Sequence, residues 1–320
     1  MSLRYTLYEQ AARHQLDADA TAELLRLAGL QGEPPALTRR MAQGLAIAAT
    51  ALGGLAVIFC VAANWDGFGR FGRFALVQSL LAVALFGAWR LPAARIPLSL
   101  LALLTIGGLL ACVGQTYQTG ADPWQLFAAW AVMGLPMCWG VRSDALWAPW
   151  ILVVNTAAAL WVVAMTSRWQ MGADDALTHV LAWVASAAFL LPAHPALRRH
   201  TGAGNWMVRF GVTVLLSQAV WGVLQSVFRE FGMPLLFLAL VLAVGIVLLF
   251  KSQLWSDGYC AGAGIVATDI LLLAGLYRVI LQVHSDILGT TFMLCLATMA
   301  LAYGSSRLLL PSRSPGGEKP

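Results

Sequence analysis

Charge is what this sequence has least of. Asp, Glu, Lys and Arg make up 11% of its 320 residues, where a soluble domain carries roughly 25%. A larger core cannot absorb the deficit, because a folded chain of this length still presents polar surface to water. A lipid bilayer resolves the conflict by solvating apolar faces, and a composition of 59% hydrophobic residues agrees. Cysteine is sparse as well. Cys60, Cys112, Cys138, Cys260 and Cys295 each lie in an apolar run, with no CxxC pair and no Cys/His cluster. Zinc and iron–sulfur readings therefore lack ligands, and the five read as small buried hydrophobes. The five histidines, His14, His179, His194, His200 and His284, are dispersed. No metal motif, nucleophile elbow or catalytic-triad spacing appears, so the chain is expected to be no enzyme and to carry no cofactor. The basic residues are scattered through short connections with no dense patch, which excludes nucleic acid as a partner.

What is present is a succession of apolar runs. A membrane-crossing helix needs about twenty mostly apolar residues. Candidates fall near 41–63, 74–89, 96–117, 124–141, 145–165, 176–191, 206–228, 233–250, 258–277 and 286–303. Between 124–141 and 145–165 stand only Arg142, Ser143 and Asp144, a tight turn for a helical hairpin. The expected fold is an all-α integral membrane protein of about ten transmembrane helices with a small N-terminal cytoplasmic helical hairpin. Residues 1–40 form the head, 41–304 the bundle and 305–320 a disordered tail rich in Pro, Gly and Ser. In the head, Thr6 and Glu9 have capping-box spacing, and a second helix is expected to start after Asp17 and stop at Gly29. No cleavable signal peptide is read in this polar start, so the first span is expected to act as its own insertion signal. The thirteen Trp fit anchoring at the membrane–water interfaces.

Orientation follows from the basic residues. With the N-terminus in the cytoplasm, fourteen Lys and Arg fall on inner segments and five on outer loops, Arg70, Arg73, Arg168, Arg229 and Arg278, with Arg209 at a span entrance. The positive-inside rule then places both termini in the cytoplasm, as an even number of spans requires.

Gly67-Phe68-Gly69-Arg70-Phe71-Gly72 matches G-x-G-x-x-G. A dinucleotide site needs a strand before it, a helix after it and an acid about twenty residues on. Here an apolar span precedes the motif and no Asp or Glu follows until Asp122. It is read as an interfacial turn that rests Arg70, Arg73, Phe68, Phe71 and Phe74 among headgroups. Asn64-Trp65-Asp66 closes the first span, and Gly114-Gln115-Thr116-Tyr117-Gln118-Thr119-Gly120-Ala121-Asp122-Pro123-Trp124 forms a compact polar outer loop. Asn64, Asp66, Gln115, Tyr117 and Asp122 then form either a converging outer site or ordinary loop caps and anchors.

Asp269 lies near the middle of an apolar run. An ionised carboxylate at bilayer centre costs roughly 2.5–3.5 kcal/mol, so such a residue faces protein or water. It is either a carrier of a coupling proton or cation, or a neutral structural Asp bonded to Thr268, Gln218 or Asn155. Gln78, Asn155, His179, Gln218 and Gln225 are the other polar residues within spans. They are assigned to interhelical packing, with His179 solvated at the start of its span. Gly258 and Gly262 have GxxxG spacing.

The segment Leu24-Leu25-Arg26-Leu27-Ala28-Gly29, the span closing on Ala62-Ala63-Asn64-Trp65-Asp66, and Gly114-Gln115-Thr116-Tyr117 with Gly120-Ala121-Asp122-Pro123 together resemble a bacterial membrane-protein family, domain of unknown function 2157. The resemblance covers roughly residues 5–165. It implies a bacterial inner-membrane location and brings no established activity. The leading functional expectation is a secondary transporter or small-solute permease, with the bilayer and a small solute or proton as partners. The alternative is a structural or sensory scaffold whose residues 1–35 bind a cytoplasmic protein. Neither reading fixes an oligomeric state.

Overall fold

The computed structural model describes residues 3–29, 35–63, 67, 69–117, 120, 122–166, 173–228, 232–252, 257–283 and 287–309. Every regular element among them is helical. The head is α1 (Leu3–Arg13) and α2 (Ala18–Leu27). Asp17 caps α2, its Oδ1 accepting from Ala20 N at 2.7 Å, and Gly29 follows with a left-handed φ of 67°. Thr6 and Glu9 are not a capping box, because α1 already runs from Leu3 and encloses both.

The long helices are α3 (Pro35–Ala63), α4 (Gly69–Arg90), α5 (Arg95–Tyr117), α6 (Pro123–Val141), α7 (Asp144–Met165), α8 (Ala173–Ala188), α10 (Asn205–Ser226), α11 (Gly232–Lys251), α12 (Gly258–Val283) and α13 (Ile287–Leu309), with a short α9 (Pro195–Thr201) between α8 and α10. Nine of them, α3 to α8 and α10 to α12, contain stretches long and apolar enough to cross a membrane among the described residues. The 23-residue α13, packed on α12, is the tenth long helix. The protein is thus an all-α polytopic membrane protein.

From α4 onward each long helix packs on the next, whereas α3 packs on α5, and α10 also packs on α7 and α12. Burial is uneven in a way that locates the centre. Half of the α10 span is buried, against 6% of the α3 span. The continuous core runs through α6, α7, α8, α10, α11 and α12, around Trp147, Ile151, Met207, Val212, Ala219, Leu235, Ala239 and Leu271. Outward faces are apolar: Phe71, Trp89, Val132, Phe59 and Phe237 are more than 60% exposed. A soluble protein does not leave that much apolar surface uncovered, whereas lipid solvates it.

Several expectations change. The stretch from Gly69 onward is the first turn of α4 and not a loop, so Phe71, Arg73 and Phe74 are helical residues. The helix α3 precedes it where a dinucleotide site would need a strand. Arg278 is no loop residue either. It lies within α12 and its Nη1 donates to Val227 O at the end of α10, a cation on the carbonyl end of a helix. Three Trp are bonded within the bundle: Trp130 Nε1 donates to Leu103 O at 2.7 Å, Trp147 Nε1 to Thr201 O at 2.7 Å and Trp150 Nε1 to Ala131 O at 2.8 Å. A buried indole N–H needs such a partner. Cys60 and Cys295 are exposed, so only Cys112, Cys138 and Cys260 are the buried hydrophobes expected. The close helix approach near the GxxxG pair centres on Gly264, where an added Cβ would meet Val247 Cγ2 of α11 at 2.7 Å, while Gly258 has open space around it.

Candidate functional site

The sequence-derived candidates do not assemble into one site. Asn64 and Asp66 lie outside the described residues. Gln115 and Tyr117 are exposed on the last turn of α5, with Tyr117 beside Phe74 of α4 at 6.0 Å between ring centroids. Asp122 is exposed at the N-cap of α6 and its side chain makes no capping bond there. Asp269 sits half-buried on α12, which packs on α10, α11 and α13, whereas α5 packs on α3, α4, α6 and α7. Its partner is none of Thr268, Gln218 or Asn155. Ser305 Oγ of α13 donates to Asp269 Oδ2 at 2.6 Å, while Thr268 Oγ1 turns back to Gly264 O of its own helix.

The polar groups that do converge come from α7, α8 and α10, whose spans are 44%, 28% and 50% buried. On α7, Asn155, Ala159, Val162 and Thr166 recur at intervals of four, three and four, and so share one face. On α8, Asp175, His179, Ala182 and Ser186 repeat the same intervals. On α10, Gln218, Gly222 and Gln225 do likewise. These three stripes meet, because α8 packs on α7 and α10 packs on both. At the deep end, Gln218 Nε2 donates to Asn155 O at 3.1 Å and Ser186 Oγ donates to Gln218 Oε1 at 3.2 Å. Asn155 Nδ2 donates to Ile151 O at 2.8 Å. Asn155 is wholly buried, and its Oδ1 has no hydrogen-bond partner among the described residues.

One turn outward the small side chains of Ala159, Ala182 and Gly222 leave room. A cavity of about 150 Å³ lies there, walled by α7, α8 and α10. His179, Gln218, Gln225 and Thr166 give it polar groups, and Trp183 and Trp221 also line it, Trp221 from an exposed position. His179 is only 4% exposed, so it is buried and not solvated at the interface, and its Nε2 has no partner among the described residues. Gly222 seats the imidazole: a Cβ there would stand 2.8 Å from His179 Nδ1. Among the described residues no Lys or Arg lines the cavity.

The stripes therefore make a polar track. From Asn155 to the end of α7 is ten residues, or about 15 Å of helix, which is about half the thickness of a hydrocarbon core. Sequence reasoning assigned Asn155, His179, Gln218 and Gln225 to packing one at a time. The available signal was their joint register, with a small residue in the middle of each stripe.

The comparison with protein families bears on the other half of the chain. Residues 10–147 match the model of a family described as "Predicted membrane protein (DUF2157)". The resemblance read from the sequence holds over that segment, which runs from α1 to the first turn of α7. Comparison with curated proteins and with solved structures finds no match. The polar track lies beyond the matched residues.

Proposed function

We propose that the chain is a permease that passes a small polar solute, or a proton, across the bacterial inner membrane, with both termini cytoplasmic, and that it is no enzyme. The observation that carries the reading is the polar track of Asn155, Gln218, Ser186 and His179 in the central helices. Polar side chains there are costly in a bilayer, and packing alone does not call for Asn155 Oδ1 and His179 Nε2 to be left without partners among the described residues. The distribution of Lys and Arg supports the orientation. Asp269, held by Ser305, is the candidate for a coupling proton or cation.

The test is flux in proteoliposomes loaded with a pH-sensitive dye and challenged with a panel of small solutes and ions. Wild type should show solute-dependent flux that falls at least tenfold in Asn155→Leu. Flux no greater than that of protein-free vesicles across the panel would sink the permease reading.

A second reading has its own support. The α1–α2 hairpin exposes Tyr8, Leu16 and Leu27, the last at 77%, apolar side chains suited to a cytoplasmic protein partner. On this scaffold reading, deletion of residues 1–35 abolishes the cellular role while Asn155→Leu leaves it intact.

A further inference from the structure

We propose that the apolar trough between α6, α7, α8 and α9 holds one phospholipid with an anionic head group, its chains in the trough and its phosphate at the α9 end among Arg95, Arg142 and Arg199. The trough is separate from the polar track, and the proposal stands whether or not the chain is a permease.

The trough has a floor and two walls. Helices α6 and α8 both pack on α7. Trp150, Val154 and Ala157 of α7 line it while only 5–7% exposed, and so form the floor. On α6, Trp124, Ala128, Ala131, Leu135 and Trp139 recur at intervals of four, three, four and four, which puts them on one face along the whole helix. On α8, Leu181, Ala185 and Ala188 make the facing wall. The space enclosed is about 800 Å³. Its lining spends its polar atoms inside the protein: Trp150 Nε1 donates to Ala131 O and Thr201 Oγ1 to Pro192 O. What fills such a space is hydrocarbon. From Trp124 to Trp139 is fifteen residues, or about 22 Å of helix, against about 15 Å for one leaflet of a hydrocarbon core about 30 Å thick. A lipid chain thus lies along the trough from head group to midplane.

Charge selects the head group. At one end Leu197 and Thr201 of α9 line the trough, and Arg198, Arg199 and His200 stand exposed between them in the sequence. Arg142 is at the same end, since a Cβ on Gly202 would stand 2.1 Å from its carbonyl oxygen. Arg95 reaches there too, its Nη2 donating to Gly140 O beside Trp139. Among the described residues none of these four Arg has a carboxylate partner; the ion pairs are Arg13–Glu9, Arg26–Glu23 and Arg209–Asp257. Arg198 is engaged by Ala203 O and Asn205 Oδ1, which leaves the other three for a ligand. Asp144, next to Arg142 but one, is taken by three amides of α10, so the local excess of charge is positive. Guanidinium groups suit a phosphate, and basic clusters at the end of membrane spans bind anionic head groups. A second copy of the chain is the rival occupant. Seated about a twofold axis along the membrane normal, it would bring its own guanidinium cluster to the same end, like charge against like.

The experiment is native mass spectrometry of the detergent-purified full chain, stripped of lipid and titrated with phosphatidylglycerol or with phosphatidylcholine of the same chains. Wild type should retain one phosphatidylglycerol, at least fivefold more than phosphatidylcholine, because each cation beside an anionic head group is worth about fivefold in affinity. Arg142→Gln with Arg199→Gln should lower phosphatidylglycerol to the phosphatidylcholine level. Ala158→Phe and Ala185→Phe, which fill the trough, should remove its retention with every Arg in place. Thermal melts without lipid check that each variant folds, and the paired Arg variant decides the matter should an Ala variant unfold. Equal retention of the two lipids by wild type would overturn the proposal, as would retention of phosphatidylglycerol undiminished in the Arg variant or in both Ala variants. So would a dimer that binds no lipid and that Ala158→Phe dissociates, which would put a second copy in the trough.

Discussion

Asp144 gives the most direct test of how the central helices are held. It is the first residue of α7, yet it caps a helix sixty residues on. Its Oδ1 accepts from Gly204 N at 2.9 Å and Met207 N at 3.1 Å, and its Oδ2 accepts from Trp206 N at 2.9 Å. These are the orphan amides at the start of α10, where the helix dipole favours an anion. An N-cap replaced by Ala costs about 0.5–2 kcal/mol. Here Met207 is fully buried, so its amide has no access to water once the carboxylate is gone, and an unsatisfied buried donor adds about 1–3 kcal/mol. Asp144→Ala is therefore expected to cost about 3 kcal/mol. At about 2–4 °C per kcal/mol for a large domain, the Tm in detergent should fall by about 6–12 °C. Asp144→Asn keeps one carbonyl acceptor and should fall by roughly half as much. The assay is loss of monodisperse protein on size exclusion after heating. A Tm for Asp144→Ala within about 1 °C of wild type would refute the cap as a determinant of the α7–α10 junction.

Other substitutions probe separate contacts. An added Cβ at Gly107 would stand 2.5 Å from the Trp130 ring, so Gly107→Ala should lose about 1–3 kcal/mol by overpacking; adding Trp130→Phe should recover part of that loss, and strict additivity of the two in thermal melts would refute the contact. Arg142 ends α6 with a left-handed φ of 54°, so Arg142→Gly should leave the Tm unchanged or raised, while Arg142→Val should lower stability by about 1–2 kcal/mol. Of the five free thiols, Cys60 and Cys295 are exposed and Cys112, Cys138 and Cys260 are buried. Mass spectrometry after brief treatment with N-ethylmaleimide in mild detergent should find the three buried thiols unmodified and all five modified after denaturation; native-state modification of any of the three would refute their burial.

What could be read from the sequence was whatever repeats along one helix. Apolar runs of about twenty residues located all ten long helices, because length and hydropathy are properties of a segment alone. Asp17 and Gly29 bounded α2 for the same local reason. Contacts between segments were not legible. Asp269 was matched to polar residues elsewhere in the bundle, but its bond runs to Ser305, a residue no periodicity singles out. Arg278 looked like an outer-loop charge, because a cation near a span end reads the same whether it meets headgroups or a helix carbonyl. Trp147 looked like one more interfacial anchor, yet it is fully buried with its N–H on Thr201 O. Asp144 looked like turn filler, and its role appears only once α10 lies beside it.

The division between the family match and the polar track has a consequence for assigning function. The match ends at Trp147, in the first turn of α7. Before it lie the head and four spans of uneven burial: 6% of the α3 span, 17% of the α4 and α6 spans and 44% of the α5 span is buried. After it lie Asn155, His179, Gln218 and the cavity. What joins the two regions is packing: Trp150 of α7 donates to Ala131 O of α6 and Trp147 of α7 donates to Thr201 O at the end of α9. The matched segment thus walls one side of α7, and the track opens on the other. An activity shared across the family would have to be carried by the matched helices and the head, and would survive Asn155→Leu. An activity of the track would depend on α7, α8 and α10, and would be abolished by it. The same substitution therefore separates a function of the family segment from one that this chain builds in its second half.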